Sequence, residues 1–127
     1  MRVAGVLLLA CLSCFGQGQA EPKYEMDNYV VCILRRGPNI SQSKEEAAKI
    51  QEGHMAHIRH MASSGKLIVA GPFTANNQDA RGMFIFKATL EEAKALAVDD
   101  PAVKAGRLVM DMYPWFAGKG LKVDPPR

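Results

Sequence analysis

The chain has 127 residues, 23% of them charged, and a formal net charge of +3. That length predicts one domain with its own hydrophobic core. The balanced, dispersed charge gives no electrostatic footing for a nucleic-acid partner.

The first twenty residues, "MRVAGVLLLACLSCFGQGQA", differ from the rest. Arg2 supplies one positive charge, an apolar run extends from Val3 to about Phe15, and Gly18 and Ala20 occupy the small-residue places before Glu21. This layout predicts a signal peptide over 1–20 and an exported protein, periplasmic or secreted. The run is too short for a transmembrane segment. "LLAC" offers a second route, a lipoprotein anchored at Cys11. Cys11 and Cys14 leave with a cleaved signal, so Cys32 alone remains, with no intrachain disulfide.

Residues 21–28 read as a flexible leader. "YVVCILRR", 29–36, is rich in β-branched and aromatic residues and is halted by Gly37-Pro38, which predicts a buried strand. Ser43 followed by Glu46 is a capping box for a helix. Ala47, Ile50, His54, Ile58 and Met61 then recur at three- and four-residue steps as its inward stripe, with Gly65 as the C-cap. Strands are predicted over "KLIVAGPF" (66–73) and "MFIFKA" (83–88), separated by turn chemistry over 74–82. Thr89 and Glu92 form a second capping box for the helix "LEEAKALAVDD". "DPAVKAG" reads as a turn or a short helical piece ended by Gly106, and "RLVMDMYPWF" (107–116) as a fourth strand. The tail, 117–127, is rich in Gly and Pro and reads as loose.

The order β-α-β-β-α-β predicts an α+β, ferredoxin-like fold: one antiparallel four-stranded sheet with two helices on one face. The strands are apolar on both faces, so a monomer would leave an apolar sheet face open; a homodimer is the expected remedy.

All three histidines fall within "GHMAHIRHM", 53–61. At about 100° per residue, His54 lies in the inward stripe, His57 flanks it and His60 drifts to solvent beside Arg59. Three such histidines do not converge on one metal ion without strain, so no metal and no cofactor are expected. His54 is left with two readings: a core-edge histidine satisfied by a backbone carbonyl, or an acid–base group. Cys32 reads as an inert core thiol, Ser63 and Ser64 as helix-termination residues, and Arg35 and Arg36 as solvated, although the pair could bind an anion. Tyr113, Trp115 and Phe116 read as packing residues, with lining a pocket or covering the dimer edge as the alternatives.

"GHMAHIRHMASSGKLIVAGPF", with the later "DPAVKAG", resembles the YCII-related family of small dimeric α+β barrel proteins over about residues 29–116. The resemblance implies a dimeric barrel, a possible catalytic histidine–aspartate pair, and chemistry of lyase or isomerase type without a metal. Carried over by position, the histidine is His54 and the aspartate Asp100; His57 is additional and is assigned as a helper. Where several relatives carry an arginine one turn before the histidine, this chain has Gln51. A carboxylate on one ring nitrogen fixes the imidazole tautomer and leaves the other nitrogen for a substrate proton. Against that role, Asp100 also reads as an ordinary Asp-Pro turn residue, with Asp99 beside it. The expectation is a small lyase- or isomerase-type enzyme acting on an unidentified small molecule; the alternative is a non-catalytic dimeric binding or accessory module.

Overall fold

A computed structural model describes residues 23–75 and 79–123. The signal peptide, the Cys11 anchor, residues 76–78 of the turn and the last four residues of the tail lie outside the described residues.

Seven elements follow one another: β1 (Met26–Arg36), α1 (Lys44–Ser63), β2 (Leu67–Pro72), β3 (Ala80–Phe86), α2 (Leu90–Val98), α3 (Pro101–Lys104) and β4 (Leu108–Gly118). The strands form one antiparallel sheet in the order β2-β3-β1-β4, the α+β ferredoxin-like arrangement. β1 therefore sits inside the sheet, which agrees with its apolar run Tyr29–Leu34.

Three strand ends run past the sequence reading. β1 opens at Met26, inside the predicted leader, because Met26–Asn28 pair with Phe116–Gly118. The same pairing carries β4 two residues past Phe116. β3 begins at Ala80, within the stretch read as a turn, because Arg35 pairs with Ala80. Local composition does not carry such partners; pairing to a neighbour extends a strand past its own propensity.

Val30, Cys32 and Leu34 of β1 point to the helix-covered face and pack with Phe84, Phe86, Met61, Leu67 and Ala93. Burial of a side chain the size of phenylalanine contributes about 1.5–3 kcal/mol, so Phe84 and Phe86 anchor this layer. Both capping boxes form as read, Ser43 with Glu46 and Thr89 with Glu92. Ser64 is the C-cap of α1, with Gly65 one place beyond it. The opposite sheet face carries a smaller cluster around Tyr29 and Ile85, beside the exposed Tyr113 and Trp115.

Candidate acid–base site

The site grows from the inward stripe of α1. His54 is 8% exposed, and its ring stacks on Phe84 of β3 with centroids 6.2 Å apart. At the Nδ1 edge of the imidazole stands Asp100, which is 0% exposed. Proline at 101 favours an extended Asp100, and Asp100 has that backbone as the N-cap of α3. Its Oδ1 accepts the Ala102 N–H at 2.8 Å. Its Oδ2 lies 2.7 Å from His54 Nδ1. Capping occupies one carboxylate oxygen and leaves the other for the histidine.

The two residues meet because α1 and α3 approach closely at Gly53. A Cβ at that position would lie 3.0 Å from Pro101 Cγ, tighter than ordinary packing allows. Glycine in a helix interior costs about 1 kcal/mol relative to alanine, and here it admits the neighbouring ring.

An ionised carboxylate only accepts, so His54 donates from Nδ1, and in the neutral imidazole Nε2 then carries the lone pair. Nε2 makes no hydrogen bond among the described residues, and no side-chain nitrogen or oxygen there is buried without a partner. Nε2 is therefore accessible. His54 lines a cleft of about 610 Å³, within the range of small-molecule sites. Leu34, Ile50, Ile58, Phe84 and Leu108 make its walls apolar. Gln51 and, at the end of β2, Gly71 and Pro72 also line it.

The other expected residues go elsewhere. His57, assigned as a helper, is half-buried and donates from Nε2 to the Leu96 carbonyl at 2.7 Å. It does not line the cleft. Three residues advance a helix about 300°, and the remaining offset of about 60° turns His57 towards α2. His60 is exposed in the last turn of α1. Asp99 is exposed and pairs with Lys104, so it does not replace Asp100. Ser63 and Ser64 donate back to the carbonyls of His60 and Met61. Cys32 is buried in the core, and desolvation pushes its thiol up to about 12. That thiol is no nucleophile. Among the described residues, no group of three or more His, Cys, Asp or Glu is placed to hold a metal ion, and no helix is long and apolar enough to cross a membrane.

Sequence reasoning allowed an anion only to the pair Arg35 and Arg36 and missed the gathering of three arginines. Arg36, Arg81 and Arg107 all line the cleft. Arg36 shares the face of Leu34 by simple alternation, a signal that was legible. Arg81 was not, because a bulge intervenes: Leu34 pairs with Gly82 and Arg35 with Ala80, leaving Arg81 unmatched. A bulge re-aims a side chain in this way.

The model of the YCII-related domain family matches residues 29–115. The chain belongs to that family. Among solved structures, the YCII-related chain is similar to a 5-chloro-2-hydroxyhydroquinone dehydrochlorinase from Burkholderia phenoliruptrix AC1100, determined in complex with 2,5-dihydroxybenzoquinone. The two are 22% identical, the match covers 68% of this chain and 92% of that one, and the TM-score is 0.49. No curated protein matches the YCII-related chain.

Proposed function

We propose that this YCII-related protein is a small acid–base enzyme in which His54 Nε2 moves a proton on a molecule held in the cleft. Asp100 acts as a positioning residue. The observation that carries the reading is the buried His54–Asp100 hydrogen bond in a histidine that lines the cleft and whose second ring nitrogen makes no hydrogen bond among the described residues. Such a pair presents one oriented lone pair to a substrate, which is what a general base requires.

The reaction type that suits it is proton abstraction from a carbon beside an electron-withdrawing group. Returning the proton to a second atom completes an isomerisation. Expelling a leaving group as the C–H electron pair forms a double bond completes an elimination, with the proton left on Nε2 until solvent takes it. The reading also places the protein outside the cytoplasm, from residues 1–20, and joins two copies through the sheet face that bears Tyr113 and Trp115.

The test is a panel of enolisable ketones and lactones in D2O, followed by loss of the proton signal at the acidic carbon. Wild-type protein should catalyse exchange of at least one compound, and His54→Ala should lower the rate about 10²–10⁴-fold with circular dichroism unchanged. Binding without exchange would make the protein a binding module. Exchange that survives His54→Ala would place the base elsewhere.

A further inference from the structure

Arg36, Arg81 and Arg107 gather at one end of three adjacent strands, Arg107 directly before β4. Arg36 is the last residue of β1 and pairs with Leu108 of β4, directly after Arg107. On the other side of β1, Leu34 and Arg35 pair with Gly82 and Ala80, the residues flanking Arg81. Adjacent strands lie about 4.8 Å apart, so the three side chains start within two strand spacings of one another. A tight backbone contact locks the Arg36–Arg107 edge. Gly37 donates its N–H to the Arg107 carbonyl at 2.7 Å, and a Cβ on Gly37 would fall 2.1 Å from the Gly106 carbonyl oxygen.

Charge at this end of the sheet is sorted by face. Arg35, pointing away from the cleft, is held by two carboxylates, Asp79 and Asp111. Among the described residues, the three cleft arginines have no carboxylate within ion-pair distance, and no aspartate or glutamate lines the cleft. Arg107 donates Nη1 to Gln42 Oε1 at 2.8 Å, and Gln42 in turn donates to the Ala105 carbonyl. A neutral acceptor orients that guanidinium without cancelling its charge. The helix contributes Gln51 to the same space, so the positive charge comes from the sheet.

We infer that the His54 cleft takes an organic carboxylate with an apolar body, its carboxylate held by Arg36, Arg81 and Arg107 and its body lying along Ile50, Ile58 and Phe84. Guanidinium groups suit this task because their planar donor fork matches a carboxylate. The apolar walls exclude inorganic anions as the natural occupant, since these have nothing to bury there. The inference rests on the acid–base reading of the same cleft and assigns its substrate class.

The experiment titrates the full chain with benzoate, cyclohexanecarboxylate and hexanoate, each beside its neutral amide. The His54 ring protons are followed by nuclear magnetic resonance. At least one acid should shift those protons at a concentration about tenfold or more below its amide. Raised salt should weaken the acid alone. Arg36→Ala with Arg81→Ala, both exposed positions, should abolish the difference between acid and amide while leaving the spectrum folded. Equal affinity for acid and amide, with His54 still shifted, would overturn the anion inference and leave the acid–base reading standing. Acid binding that leaves His54 unmoved, or no shift with any probe, would overturn both.

Discussion

Asp100 binds two partners at once: Oδ1 takes the Ala102 N–H at 2.8 Å and Oδ2 the His54 Nδ1 at 2.7 Å. A four-residue helix and the imidazole of a twenty-residue one are thereby tied to a single carboxylate.

Asp100→Ala should therefore lose a helix cap and leave a buried ring donor without its acceptor. Together these cost about 2–4 kcal/mol. Urea unfolding measures the loss. A cycle with His54→Ala should return a coupling energy of about 1 kcal/mol or more, because the residues share one hydrogen bond. Additive single effects would show that the bond contributes nothing.

Gly53→Val should force α3 away from α1, since Pro101 already stands 3.0 Å from where a Cβ would be. Overpacking of this kind costs about 1–3 kcal/mol. The hydrogen-bonded Nδ1 proton of His54 should move or vanish in the spectrum. Pro101→Ala should restore part of the lost stability in the double variant, a rescue that loss of helix propensity alone does not predict.

Cys32 should resist iodoacetamide at neutral pH in the folded chain and react once guanidinium unfolds it, as read by peptide mapping. Burial pushes its thiol from 9.0 up to about 12. The folded state thus holds the proton more tightly than the unfolded one. The resulting stability is fully present below pH 9.0 and is lost as pH rises towards about 12. Cys32→Ala should flatten the stability curve across that alkaline window.

Asp111 tests the acid limb. Its hydrogen bond with Arg35 holds its carboxyl below the ordinary 3.8, so the contribution is present above that value and lost as pH falls through the lower folded value. Asp111→Asn should show a shallower decline in acid, and added salt should shrink the difference, since the pair is partly exposed. Identical acid limbs would remove Asp111 from the account.

Most of the scaffold was legible in the amino-acid order because its signals are local. Ser43 with Glu46 and Thr89 with Glu92 cap helices within one turn, and the stripe through Ile50, His54, Ile58 and Met61 needs only the period of a helix. The apolar run Tyr29–Leu34 likewise marks a buried strand, although which of its side chains enter the core is set by the structure. The inward direction of His54 follows from the same period. Its partnership with Asp100 does not, because 46 residues separate the two and a backbone carbonyl could have satisfied the ring equally well. That choice depended on Gly53 admitting Pro101, a contact between two elements. The arginine wall is a sharper case. Arg36 announces its face by alternation, whereas Arg81 reaches the cleft only through a bulge and Arg107 only through the register of β1 with β4. Periodicity along one segment determines which face a side chain takes. Which charges then share a hollow is decided by how strands pair, and pairing is a property of the folded whole.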